Sequence, residues 1–282
     1  MQLHHVDFPF TLLTPCFSGT ALGKLDDHAE MRIPPIRGHV RFWHRALFGA
    51  ADANRVWGNT NGNEGQGSRV ALRLLKGPLS DKHPAALLPH DLKKSGRDRP
   101  SLRDGADFTL RLQRLVSCTN DDWSHAQRAV KLWLLVGCLG LRSNRAAGSV
   151  WPEDAWVPQD SDSLKTTLQT LGLATWSVAL IGLGQSKSAS ELRETASDTI
   201  AGNPYQQVFG GINPQRAPSP TKFKVIRLGE GFCLLATAPA GRVLGHGSVR
   251  RTILQEAEHL LHNVKPSPAR WKALGSWMPL LP

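Results

Sequence analysis

Arg37, Arg41 and Arg45 are spaced four residues apart, and no acidic residue lies between Arg32 and Ala51. On a helix this spacing stacks three guanidinium groups on one face, where like charges repel by about 0.2–0.5 kcal/mol per pair. Guanidinium groups are permanently charged forks of donors, so an anionic partner such as RNA phosphate would relieve the repulsion. The other way to build such a face is a solvated one, with arginine stems covering apolar surface. His44 lies beside Arg45 and is the histidine best placed to act as a general base on a 2′-OH. That chemistry needs a second proton-transfer group, and the sequence offers His44 no evident partner. A partly buried, space-filling histidine is the alternative. A second basic cluster follows at Leu139–Val150, a glycine-rich segment in which Arg142 and Arg145 flank a tight turn and Ser149 lies close behind. Turn amides in such a segment can form an anion-binding nest.

Other chemistries are not indicated. The chain has no G-x-x-x-x-G-K-[ST] loop for P-loop nucleotide hydrolysis and no H-E-x-x-H. Cys16, Cys118, Cys138 and Cys233 lack metal-ligand spacing and read as reduced thiols of an intracellular, cytoplasmic protein. Asp26, Asp27 and Glu30 fall in a polar loop and not in a metal-binding cluster. No metal and no cofactor are expected. The longest apolar run, Leu132–Leu141, is too short to span a bilayer, so no membrane contact is expected. Net charge is +11 and the pI is about 10.0, which favours a polyanionic partner. Residues 1–150 carry 21 Lys/Arg against 13 Asp/Glu (+8), so the basic surface belongs mainly to the first half.

These residues need positioning elements. Pro34 and Pro35 impose an extended approach; a helix then starts near Ile36 and should stop at Gly49. Ile36, Val40, Trp43 and Leu47 form its buried stripe. Residues 3–13 and 69–75 read as strands, and Phe108–Leu115 alternates strictly. Asp121 or Asp122 should cap a helix burying Ala126, Val130, Trp133 and Leu134. The loop 57–68 looks too glycine- and asparagine-rich for regular structure, and 77–104 looks like an exposed, poorly ordered insertion. The order β-α-β-β-α opens a ferredoxin-like unit. The second half supplies strands at 176–181 and 232–238, and helices at 164–171, 191–200 and from about 252 to 264. Trp57-Gly58 before Ser68–Leu74 is echoed by Phe209-Gly210 before Ser219–Leu228, a weak internal repeat. Residues 265–282, with four prolines, form a tail that either packs or dangles. Gly241–Ser248 is a further glycine-rich basic turn of low specificity.

Arg32–Gly49, together with Thr14-Pro15-Cys16-Phe17-Ser18-Gly19, resembles the N-terminal signature of the RAMP proteins of CRISPR effector complexes. The resemblance is strongest to the first subunit of the Cmr (type III-B) complex. Pro35 stands where that pattern has serine, and His44 where it has a second tryptophan. Gly140–Val150 resembles the family's glycine-rich loop, with Ala146 in place of glycine and Ala147 in place of an aromatic. The resemblance implies an α+β chain of two tandem ferredoxin-like (RRM-like) βαββαβ domains with insertions, at 1–152 and 153–282. It also implies a non-catalytic subunit that binds guide (CRISPR) RNA and target RNA beside other Cmr-type RAMP subunits. Arg32, Arg37, Arg41, His44, Arg45, Arg142, Arg145 and Ser149 are its expected RNA contacts. The alternatives are a RAMP endoribonuclease that processes CRISPR transcripts, and an assembly scaffold without direct RNA contact.

Overall fold

The computed structural model describes residues 4–20, 28–61, 64–95, 98–200, 205–211, 215–246, 249–264 and 268–282. Asp26, Asp27 and the Gly247-Ser248 end of the last basic turn lie outside the described residues.

The first half runs β1 (His5–Leu12), α1 (Ile33–Trp57), β2 (Val70–Lys76), β3 (Asp107–Arg114), α2 (Asn120–Val136) and β4 (Val150–Pro152). The sheet order is β4-β1-β3-β2, with every pair antiparallel. This is the 4-1-3-2 order of a ferredoxin-like βαββαβ unit. Alternation builds it: Phe8, Phe10 and Leu12 of β1 are buried, as are Phe108, Leu110 and Leu112 of β3. Phe10 stacks on Phe108 at 5.3 Å and meets Trp133 of α2 edge-on at 5.9 Å.

After α3 (Ser161–Leu171) the second half repeats the plan. It runs β5 (Trp176–Ile181), α4 (Ala189–Ser197), α5 (Gln206–Phe209), β6 (Lys222–Leu228), β7 (Gly231–Pro239), α6 (Ile253–Asn263), α7 (Ala269–Lys272) and β8 (Met278–Leu281). Its sheet order, β6-β7-β5-β8, is 2-3-1-4, the same arrangement read from the other edge. The chain is α+β. The internal repeat is also visible at atomic scale. Gly58 and Gly210 end α1 and α5 with φ of 78° and 69°. A Cβ on either would come within 3.0 Å of Ser68 N or 2.6 Å of Ser219 N, respectively. Each serine hydroxyl then donates to the carbonyl two residues on, Val70 or Thr221, at 2.6 Å.

Several elements differ from expectation. Gly49 does leave helical space (φ 83°), but a second helical segment follows at once and carries α1 to Trp57. The polar loop after it contains a short antiparallel ladder, Asn59–Asn61 with Glu64–Gln66. The 77–104 insertion pairs with itself and with the chain before α1, and it buries Ser101 and Leu102. Cys16 and Leu102 exchange backbone hydrogen bonds at 2.9 Å, so this segment is packed where sequence composition pointed to poor order. The cap of α2 is Thr119, with Asp122 completing a capping box from the third helical position. The proline-rich tail packs: Trp271 is buried, and β8 closes the second sheet.

Candidate nucleic-acid interface

Arg32 occupies the N-cap of α1 in extended conformation, with prolines in the first turn. Its Nε lies 3.8 Å from Oε2 of Glu30. Ile36, Val40 and Trp43 are buried, which leaves Arg37 and Arg45 exposed and Arg41 half-buried. Beyond Gly49 the helix supplies neutral acceptors to the stripe. Arg41 donates to Asn54 Oδ1 at 2.5 Å, and Arg37 donates to the Trp57 carbonyl. Burial, then the neighbouring Arg45 and Arg37, holds the Arg41 guanidinium below the usual arginine range. The like-charge repulsion implied by the spacing is therefore present. Arg45 has no carboxylate partner among the described residues.

His44 is 0 % exposed, which corrects its expected place beside RNA. Its ring lies behind the arginine stripe, where it cannot reach a 2′-OH at the surface. Nδ1 accepts from Trp57 Nε1 at 2.9 Å, and Nε2 lies 2.7 Å from Asp52 Oδ1. Asp52 also faces His125 Nδ1 at 3.1 Å and accepts from Arg55. The network continues through Arg55 and Arg69 to buried Asp122. Burial lowers the imidazole pKa of His44, outweighing Asp52. Burial pushes the Asp52 carboxyl up, but hydrogen bonds from His44, His125 and Arg55 outweigh it and hold the group below its usual range. One ligand atom each of His44, Asp52 and His125 falls within 4.8 Å of the others, close enough for a metal ion.

The loop between α2 and β4 joins the two halves. Arg142 and Ala146 both adopt left-handed backbone, with φ of 58° and 60°. Ala146 N–H donates to the Phe223 carbonyl at 3.0 Å, and Phe223 N–H donates to that of Asn144 at 3.2 Å. Ser149 is buried; its Oγ accepts from Val225 N–H at 3.0 Å and donates to the Ala146 carbonyl. Arg145 is turned inward. Its guanidinium donates to Phe209 O (2.7 Å), Ser219 Oγ (3.2 Å) and Thr221 O (3.4 Å). With no carboxylate to offset burial, its pKa drops to about 10. Lys224 likewise reaches across to the Leu134 carbonyl in the last turn of α2 at 2.5 Å, and burial lowers it to about 7. Arg145 and Ser149 are thus ties between the halves, while Arg142 stays exposed.

The glycine-rich loop, the proline-led basic helix and the 4-1-3-2 sheet coincide with a family match: the model of the RAMP superfamily matches residues 9–151. The chain belongs to the RAMP superfamily. Among solved structures, this RAMP protein is similar to apo Cmr1 from Pyrococcus furiosus. The TM-score is 0.63 at 15 % identity, covering 100 % of this chain and 99 % of that one. It is also similar to a chain of the type III-B Cmr-beta complex bound to cognate target RNA, with TM-score 0.50, 10 % identity, and 85 % and 94 % covered. A further match is to that complex with target RNA, AMPPnP and single-stranded DNA, with TM-score 0.53, 10 % identity, and 86 % and 96 % covered. At these identities the likeness is one of fold. No curated protein sequence matches.

Sequence reasoning missed the partners of His44 and Arg145 in this RAMP chain. Asp52 lies just beyond the acid-free stretch, and only the Gly49 break brings it back to His44. His125 sits on another helix. The inward turn of Arg145 depends on Phe209 and Thr221, more than sixty residues later. The capping boxes that open α2, α3, α4 and α6 lie within reach of local signals; these contacts do not. Among the described residues, no helix is long and apolar enough to cross a membrane.

Proposed function

We propose that this RAMP protein is a non-catalytic, RNA-binding subunit of a type III CRISPR effector ribonucleoprotein. In this reading it acts in the cytoplasm beside other Cmr-type RAMP subunits, contacting the 3′ region of the guide RNA and the target RNA. The observation that carries the reading is the exposure of Arg45 and Arg142 without carboxylate partners among the described residues, in a chain of net charge +11. Arg37 adds a third exposed cation, and Arg41 is a fourth, half-buried one. Such groups position a phosphate backbone without reading sequence. The fold likeness to chains of Cmr complexes bound to target RNA supports the partner class. His44, Arg145 and Ser149 serve this function indirectly, by holding the surface in shape.

The test is the salt dependence of RNA binding. Replacing Arg37, Arg45 and Arg142 together with Ala should weaken unrelated single-stranded RNAs alike. The log–log salt slope should flatten by roughly 0.7 per lost phosphate contact. An unchanged slope in a folded variant would return these arginines to a solvated face and leave the scaffold reading.

A further inference from the structure

A cavity of about 330 Å³ opens where α1, the segment after α2 and the start of β6 meet. That lies within the roughly 300–1,000 Å³ of small-molecule sites. Phe42, Trp43, Gly38, His39, Asn144 and Lys222 line it. We propose that this cavity takes one unpaired nucleobase of a bound RNA strand, and selects a base with a carbonyl edge, uracil or guanine. The proposal rests on the RNA-binding reading above and adds where and how a base is read.

Phe42 supplies a stacking surface. It is 41 % exposed, yet its ring is braced edge-on by Trp43 at 5.2 Å and by Trp176 at 5.7 Å. Base stacking on such a ring tolerates any base. Gly38 supplies the room. It sits inside a helix, where glycine is the poorest residue after proline, and its backbone has no positive φ that would demand glycine. A Cβ there would meet nothing within 4 Å, because the space above it is the cavity. Packing therefore does not explain the glycine, whereas a ligand would.

The polar edge supplies the choice. Lys222 Nζ donates to Asn144 Oδ1 at 2.9 Å and lies 5.2 Å from the Phe42 ring centre. An ammonium has no acceptor, so the oxygen of Asn144 must face it, and what the pair leaves free is mainly donors. Guanine offers O6 and N7, and uracil offers O4, as acceptors; adenine and cytosine present exocyclic amines at the matching positions. No carboxylate lines the cavity to accept from those amines. Exposed Arg45, about one helical turn beyond Phe42, and exposed Arg142, beside Ser143, are placed to hold the flanking phosphates.

The experiment measures binding of the full chain to labelled U-run, A-run and C-run RNAs by fluorescence anisotropy at fixed salt. The U-run should bind about tenfold more tightly than the others, the scale of one discriminated base edge. A site that only stacks would favour the larger adenine. Gly38→Met, which fills the cavity, should reduce U-run affinity to that of the A-run. Asn144→Asp, which removes the amide donors, should do the same by a different route. Circular dichroism and the melting temperature confirm that each variant is folded. A U-to-A ratio that survives both substitutions, or a wild-type protein preferring adenine, overturns the assignment. Displacement of the U-run by micromolar UMP would make a free nucleotide the ligand and overturn the assignment to RNA. Equal, salt-sensitive binding of all runs removes the cavity's role alone. No binding of any run removes the RNA-binding reading as well.

Discussion

The indole N–H of Trp57 donates to Nδ1 of His44 at 2.9 Å. That bond fixes the tautomer: Nδ1 is the acceptor, so the proton sits on Nε2 and is given to Asp52. A metal held by His44, Asp52 and His125 would take Nε2 and drive the proton to Nδ1, setting two donors against each other. The cluster is therefore a structural hydrogen-bond network, although its ligand atoms are close enough for an ion. Zinc should leave the melting temperature of the wild type unchanged. Trp57→Phe removes the opposing donor, and only there should zinc raise it by mass action. A zinc-dependent rise in the wild type would show that the indole does not block the site.

Acid should weaken the fold through the same ring. Burial lowers the folded-state pKa of His44 below its unfolded value of about 6.5. As pH falls through that value, the unfolded chain takes up a proton that the folded one refuses, so stability falls until the folded pKa is passed. His39 and His90 are shifted the same way, chiefly by burial, and add to the slope. Asp52 acts in a separate, more acidic window, below about pH 4. His44→Gln should lower the slope of stability against pH below about pH 6.5 by up to about 1.4 kcal/mol per pH unit. Urea unfolding at stepped pH measures this, and equal slopes would mean that His44 does not titrate there.

Ala146 holds a left-handed backbone, φ 60°, with its side chain buried. Glycine would relieve about 1 kcal/mol of strain there but lose a buried methyl worth about 0.8 kcal/mol. Ala146→Gly should therefore change stability by less than about 0.5 kcal/mol, the two effects nearly cancelling. Ala146→Val adds a β-branch where none fits and should cost more than about 2 kcal/mol. Denaturant midpoints for the two variants decide it; a tolerated valine would mean the loop rearranges freely.

Arg142 and Arg145 are three residues apart and should respond oppositely. Arg145→Ala should lower stability by about 2–4 kcal/mol, since it strands the Phe209 carbonyl and opens a cavity. Arg145→Lys should not rescue it, because one ammonium cannot replace the planar fork. Arg142→Ala should stay within about 0.5 kcal/mol of wild type while weakening RNA binding. A stable Arg145→Ala protein with impaired RNA binding would place Arg145 at the surface instead.

The opposite fates of these two arginines mark the limit of what the sequence conveys. Alternation placed Phe8, Phe10 and Leu12 inward, and periodicity did the same for Ile36, Val40 and Trp43. The strand Trp176–Ile181 was legible to its ends because six consecutive core residues lie between turn signals. Periodicity reports which face is buried, but not what covers it. Arg145 looks as basic as Arg142 until β6 is laid against the loop. His44 looks like a surface base until Gly49 folds Asp52 and Trp57 onto it. The charge pattern was local and could be read; its pairing was long-range and could not.

The isolated chain should not cut RNA. General acid–base cleavage needs two proton-transfer groups that reach the reacting atoms. His44 now has partners, but it is fully buried and its proton is committed to Asp52. Asp52 is engaged by His125 and Arg55 as well as by His44, and those bonds keep it ionised and occupied. A metal-assisted route needs carboxylates that can hold an ion beside the phosphate. Glu30, which precedes the arginine helix, is engaged as well: its Oε1 lies 2.9 Å from His28 and its Oε2 lies 3.8 Å from Arg32. Incubating the purified protein with labelled guide and target RNAs, in magnesium, manganese, zinc or chelator, should leave both intact over hours. Cleavage that disappears in His44→Ala, or in Asp52→Asn with the fold preserved, would make the buried network catalytic and raise the endoribonuclease reading above the subunit reading.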